Sequence, residues 1–147
     1  RHSAFMDDPI QYRGGWVVDL DDLYGLADVK PADVDLLQTY DDYPVISLMQ
    51  IEDLGFCPKG EAATFVRARD LTFRGDFPHN TSGGQLSVGQ AGAAGGYLGL
   101  VEAMRQLCGI AGANQVKDAE VALVSGFGMI NYDRGLASAA ALLAKAS

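Results

Sequence analysis

Residues able to do chemistry gather in two places in this chain. The longer is Asn80 to Gly96, NTSGGQLSVGQAGAAGG, whose polar members Asn80, Ser82, Gln85 and Gln90 are all uncharged. Gly83, Gly84, Gly89 and Gly92 permit positive φ and close approach of backbone to a ligand. A helix starting near Ala93 would point its free N–H groups and positive dipole end at whatever lies against Gly89 and Gln90. Such a pocket suits a carbonyl oxygen or an anion. A tight strand-to-helix turn packed with small residues accounts for the same composition. The shorter place is Thr39 to Pro44, TYDDYP. Pro44 stands at a favourable first helical position, so Asp41 or Asp42 fits the N-cap of the apolar segment VISLMQIEDLG, which Gly55 stops. The remaining candidates are scattered. His79 borders the first stretch, although a solvent-facing loop histidine is the favoured reading, and His2 carries no argument. Tyr132-Asp133-Arg134 is in reach of a substrate or is a loop ion pair, the latter favoured. Cys57 and Cys108 have no metal-ligand spacing and sit in no activating motif, so both are expected as reduced thiols and no metal site is expected.

The elements that must hold these residues read as one domain. The 147 residues are 48% apolar and 20% charged, an ordinary globular balance. A net charge of −8 without a Lys/Arg cluster speaks against nucleic acid or an acidic membrane as partner. The most apolar runs, around 91–101 and 136–144, are too short to span a bilayer. RHSAFMDDP lacks the apolar core of a secretory signal, so a cytoplasmic location is expected. Position 1 is not Met, and a fragment or processed piece is expected. Residues 1–16 read as an irregular lead-in and 17–147 as the domain. Apolar spacing predicts a helix over 17–27, then a break at Lys30-Pro31, a buried strand over 34–39, the helix ending at Gly55 and a short helix over 61–69. Residues 93–108 are apolar or small on every face of their first half, which predicts a helix buried on all sides, with Tyr97 in the core and Gly109 as its cap. Residues 120–125 alternate as a strand, Gly126-Phe127-Gly128 reads as a tight turn, and LASAAALLAK is a helix by propensity or a closing strand by position.

The Gly-rich stretch resembles the NPSGG-x-x-x-x-GHPxGATG segment of thiolases, especially the sterol-carrier-type, lipid-transfer-protein-like branch. Asn80, Ser82, Gly83, Gly84, Gly89 and Ala94 match it. Upstream, DVDLLQTYDDYPV resembles that branch's DVDxxExHDxF: Asp33, Val34, Asp35 and Asp41 match, with Tyr40 in the histidine place and Tyr43 in the phenylalanine place. Downstream, ALVSGFG resembles the last strand and turn, with Val124 or Ser125 where many thiolases carry a cysteine. The resemblance spans residues 17–144. It implies an α/β fold: a C-terminal thiolase half with a mixed β-sheet and a buried helix over about 93–108, one part of an αβαβα sandwich that is usually dimeric. The nucleophilic cysteine of the family lies on the N-terminal half, which another chain or an upstream piece would supply.

The departures shape the expected chemistry. Gln90 replaces the histidine of the GHP turn; a carboxamide can donate to an oxyanion but cannot exchange protons. Tyr40 replaces the other histidine; a phenol can donate to an oxygen or, with a lowered pKa, take a proton. Asp41 and Asp42 could assist Tyr40 as bases, although capping accounts for at least one of them. The leading expectation is an acyl-CoA carbon–carbon lyase performing retro-aldol cleavage of a β-hydroxyacyl-CoA. Tyr40 would accept the proton, Gln90 would bind the enolate or thioester oxygen, and Asn80, Ser82, Gly83, Gly84 and Gly89 would line the thioester site. Coenzyme A enters only as the thioester substrate. The branch implies a small OB-fold, zinc-ribbon partner protein and a homodimer. Two other readings stay open: a thiolase using an N-terminal-half cysteine, and a non-catalytic acyl-CoA- or lipid-binding module.

Overall fold

The short run Leu36–Gln38 (β1) pairs in parallel with the start of the eleven-residue strand Val121–Asn131 (β2), and Arg134–Ala144 (β3) returns antiparallel to β2. The computed structural model describes residues 13–90, 92–131 and 134–146. Among them the sheet is mixed and three-stranded, in the order β1-β2-β3. Leu36, Leu37 and Gln38 lie opposite Ala122, Leu123 and Val124. Asp35 sets this register, because its carboxylate accepts the backbone N–H groups of Glu120 and Val121 at 2.8 Å each.

Alternation along the strands sends neighbouring side chains into two separate cores. Leu37 and Leu123 join Trp16, Tyr24, Ile46, Ile51 and Leu54 on one face, under helices α1 (Leu20–Gly25) and α2 (Pro44–Asp53). Leu36, Ala122 and Val124 join Ala103, Leu107, Val116 and Ala119 on the other. Helices α3 (Ala62–Arg67), α4 (Gly84–Val88) and α5 (Leu98–Leu107) complete the described elements, and α5 covers this second face. The result is the α/β class and mixed sheet that the sequence implies.

Several local expectations change. The 17–27 helix is a 3-10 turn at Gly15–Val17 followed by α1, and Trp16, inside the stretch read as lead-in, is buried with its indole Nε1 donating to Gly126 O at 3.0 Å. Gly126 and Gly128 do not turn the chain: β2 runs on to Asn131 against β3, so the tail is a strand. Tyr132 and Asp133 lie outside the described residues, as does His2, and of the Arg134 side chain nothing is described. Neither aspartate caps α2. Tyr43 is its N-cap and makes no side-chain cap bond, although Pro44 does open the helix. The low helix propensity of glycine explains why α5 starts at Leu98 and not Ala93: the Gly/Ala run forms a 3-10 turn over Gly92–Tyr97 first. Nor is α5 buried on all sides. Its sheet-facing side buries Glu102, Ala103, Gln106 and Leu107, while Val101 and Met104 are 52% exposed and Tyr97 is 65% exposed rather than core. A helix lying on a single sheet can bury only one stripe.

Candidate functional site

The end of β1 and the Gly-rich stretch are brought together by backbone bonds that local sequence patterns do not show. Residues 78–80 run beside β1, with Leu37 N–H donating to Pro78 O at 2.9 Å and Asn80 N–H to Leu37 O at 3.0 Å. Asn80 then adopts φ 46°, and its side-chain oxygen accepts the Thr39 N–H at 2.8 Å. Beyond it, Gly83 and Gly84 have φ of 94° and 65° and lead into α4, a short helix absent from the sequence reading. A Cβ on Gly84 would lie inside the Asp41 carboxylate. That carboxylate is buried and accepts the Gln85 N–H at 2.7 Å, so Asp41 ties α4 to the end of β1 instead of capping α2.

These ties place Gln90 over Tyr40. The Gln90 Nε2 donates to the Tyr40 phenol oxygen at 2.9 Å, at a solvent-facing position. The Phe127 ring of β2 lies beside the phenol, with centroids 6.4 Å apart. Burial raises the Tyr40 pKa above its ordinary value; the Gln90 hydrogen bond pulls it down, and the neighbouring Asp42 carboxylate pushes it up again. The net direction is upward, so at neutral pH the group is a neutral phenol able to donate and accept, and not a phenolate. The lowered pKa that would suit a free base is not found. Of the other expected site residues, Ser82 is half-buried, and Gly83 and Gly89 are exposed on the same turn sequence.

Two further groups support the site. Gln50, fully buried in α2, accepts the Tyr40 N–H at 3.1 Å and donates to Tyr40 O at 2.7 Å. It also accepts the Ser125 hydroxyl at 2.6 Å, so one of the two residues that could stand in the family's cysteine place is bound to the clamp that holds Tyr40. Thr81 anchors the other side. Its hydroxyl donates to Glu102 at 2.7 Å and accepts from Gln38 at 3.0 Å and Gln106 at 3.1 Å, all of them buried. The sequence reading missed both groups. A signal was present for Gln50, because Ile46, Gln50 and Asp53 recur at steps of four and three on the apolar face of α2, and a polar residue there must bond something.

His79 is not a solvent-facing loop histidine. Its Nε2 lies 2.8 Å from the Thr39 hydroxyl, and burial lowers its pKa to about 4, against the opposing pull of Asp41. Cys57 and Cys108 are free thiols. Burial, with Glu52 and Glu61 nearby, raises the Cys57 pKa and keeps it a thiol, and Cys108 is exposed at the end of α5. Among the described residues no cluster of His, Cys, Asp and Glu is arranged to hold a metal ion, and no helix is long and apolar enough to cross a membrane.

Comparison with known proteins agrees with the motifs. The family described as "Thiolase C-terminal domain-like" matches residues 21–138. Human sterol carrier protein 2 is 37% identical over 106 residues, 72% of this chain and 19% of that protein. The 17-hydroxy-3-oxo-4-pregnene-20-carboxyl-CoA lyase of Mycobacterium tuberculosis is 40% identical over 103 residues, 70% of this chain and 26% of that protein. The solved structure of an Ltp2-ChsH2(DUF35) aldolase superposes with a TM-score of 0.66 at 34% identity, covering 74% of this chain and 28% of its own. The chain thus spans about a fifth to a quarter of the length of the relatives it matches. On the extent of that family match, and on the Asn80–Ala94 and Asp33–Asp41 motifs inside it, the chain belongs to the thiolase C-terminal domain-like family.

Proposed function

We propose that this chain is the C-terminal half of an acyl-CoA carbon–carbon lyase that cleaves β-hydroxyacyl-CoA thioesters by a retro-aldol reaction. The observation that carries the reading is the 2.9 Å hydrogen bond from Gln90 Nε2 to the Tyr40 phenol. It puts a proton-handling oxygen and an amide donor side by side at the two positions where the family pattern has histidines. In the reaction the β-hydroxyl loses its proton toward Tyr40 and the β-carbon becomes a carbonyl. The α–β bond breaks, and its electron pair moves into an enolate of the thioester, which is then protonated at the α-carbon. The second N–H of Gln90 remains to bind the enolate oxygen, with Asn80, Ser82, Gly83, Gly84 and Gly89 shaping the turn around it. No acyl-cysteine is required, so the reading makes no demand on the nucleophilic cysteine that the family carries on its N-terminal half.

Relatives named as lyase and aldolase support this reading, and the lyase's name includes a carboxyl-CoA. The same names point to coenzyme A as the substrate's carrier and to assembly with a second protein. We take the N-terminal half, a homodimer and a small OB-fold, zinc-ribbon protein as the partners of the working enzyme, located in the cytoplasm.

The experiment is incubation of the complete complex with β-hydroxyacyl-CoAs, following products by mass. Release of a ketone or aldehyde together with the shortened acyl-CoA is the expected result. A covalent acyl-enzyme blocked by a thiol reagent would replace it with the thiolase reading. Thermal stabilisation by acyl-CoA with no turnover would leave a binding module.

A further inference from the structure

Between α2, α3 and α4 lies a cavity of about 320 Å³ to which the lyase reading gives no task. Cavities of that size take small molecules. Most of its wall is hydrocarbon, supplied by Leu48 and Ile51 of α2, Val66 of α3 and Leu86 of α4. Among the described residues that line it, Asp41 carries the one charge, and a negative group there disfavours a free carboxylate or phosphate. A fitting occupant is therefore neutral and mostly hydrocarbon. Asn80 and Gly83, which the reading above places around the thioester, line the cavity as well. A thioester held at the glycine turn thus has this apolar space beside it.

The polar groups on the wall decide what else the occupant must carry. The Asp41 carboxylate receives the Gln85 N–H at 2.7 Å, and the Asn80 side-chain oxygen receives the Thr39 N–H at 2.8 Å. Ser47 Oγ donates to Tyr40 O at 3.4 Å, and Thr39 Oγ1 donates to Ser47 Oγ at 2.9 Å. With its proton on Ser47, the Thr39 oxygen is an acceptor toward His79 Nε2, 2.8 Å away. That bond puts the proton of the neutral imidazole on Nε2 and leaves Nδ1 as a bare acceptor. Burial, which lowers the ring's pKa to about 4, keeps it neutral near pH 7. Among the described residues Nδ1 has no hydrogen-bond partner, and Gln85 Oε1 is the one side-chain polar atom both buried and unpaired. Nδ1 is therefore open, and the cavity is the space that its ring borders. An all-hydrocarbon occupant would cover this lone pair and leave it unsatisfied, whereas a hydroxyl would satisfy it.

We propose that the cavity seats the hydrocarbon acyl body of the thioester substrate, and that His79 Nδ1 accepts a hydrogen bond from a hydroxyl carried on that body. The substrate class is then an acyl-CoA with a hydroxyl on its acyl body, distinct from the β-hydroxyl that Tyr40 meets. His79 is a specificity-determining residue in this arrangement and takes no part in the bond cleavage.

The assignment rests on the thioester turn of the lyase reading, and a binding experiment separates the two. The probes are cyclohexylacetyl-CoA and its ring-hydroxylated forms, with the hydroxyl on ring carbon 3 or 4; none has a β-hydroxyl, so none can undergo retro-aldol cleavage. Calorimetry on the complete complex should show the better hydroxylated form binding at least about tenfold tighter than the parent. His79→Leu should bring the two within about twofold of each other. Leu86 is 60% exposed, so Leu86→Trp narrows the cavity with little risk to folding. That variant should weaken cyclohexylacetyl-CoA at least about tenfold more than acetyl-CoA. Free 4-methylcyclohexanol should compete with cyclohexylacetyl-CoA, and simultaneous binding of the two would mean that the cavity holds a separate alcohol and overturn the assignment. So would equal affinity for hydroxylated and parent thioesters in the wild type, or equal weakening of both thioesters by Leu86→Trp. A complex that cleaves β-hydroxyacyl-CoAs yet shows no hydroxyl preference overturns the cavity assignment alone. One that shows the expected affinities but cleaves nothing overturns the lyase reading and leaves the cavity assignment standing.

Discussion

Tyr40 and Gln90 are fifty positions apart in sequence, and each can be read only through the other. Gln90 alone is an exposed carboxamide on a glycine turn; Tyr40 alone is a half-buried phenol with a raised pKa. Joined at 2.9 Å, they form a polarised hydroxyl facing solvent. Tyr40→Phe removes the oxygen and keeps the ring against Phe127, so stability should stay within about 0.5 kcal/mol of wild type while kcat for β-hydroxyacyl-CoA cleavage falls at least about 100-fold. Full retention of activity in that variant would remove Tyr40 from the reaction. Both residues were legible in the sequence because they occupy named places in two motifs. The true work of Asp41 was not. An aspartate before Pro44 looks like a cap, and only the fold shows that the Gln85 N–H claims its carboxylate.

At the scale of elements, the site depends on how rigidly α2 and α4 grip the end of β1. Gln50 is the grip from α2, with both polar ends satisfied by Tyr40, Ile46 and Ser125. Gln50→Leu would leave the Tyr40 N–H and the Ser125 hydroxyl without a partner in a dry place, and the Tyr40 carbonyl with only the longer Ser47 hydroxyl bond at 3.4 Å. Each such group costs about 1–3 kcal/mol, and some relaxation is expected, so a loss of about 3 kcal/mol should appear in denaturant unfolding of the complete protein. Because Tyr40 would also shift, kcat should fall more than KM rises. The grip from α4 is steric. Gly84→Ala meets both a positive φ and the Asp41 carboxylate, whereas Gly60→Ala meets a positive φ of 89° with open space around it. The strain common to both is about 1–2 kcal/mol, so Gly84→Ala should destabilise clearly more than Gly60→Ala, and equal losses would mean that the Asp41 contact carries no weight. The glycines of this stretch stand out in the sequence, but their reason does not, since Asp41 lies more than forty residues upstream. The helix α4 is equally hidden: its five residues GQLSV are too few for a period to show.

Across the whole molecule, the sheet's two cores follow from strand alternation, whereas the polar ties between distant segments appear only in three dimensions. His79 is the clearest case, and it makes global stability depend on pH. It follows Pro78, in a segment whose polar irregularity reads as an exposed loop, yet backbone pairing with β1 draws the ring in against Thr39. Its pKa falls from 6.5 to about 4 in the folded protein, chiefly through burial. Between those values the unfolded chain binds a proton that the folded chain does not, so stability must drop as pH falls through this window. The shift sets an upper bound of about 3 kcal/mol on this loss, which is nearly complete by pH 4 and negligible above about pH 7. Denaturant midpoints of the complete protein should therefore decline steadily on acidification from pH 7 to pH 4.5. His79→Gln, which can still bond Thr39 but cannot titrate, should show a flatter decline over the same range. Parallel pH profiles for the two proteins would mean that the ring takes up a proton in place, and that the segment holding Asn80 opens to water far more readily than its hydrogen bonds to Leu37 and Thr39 imply.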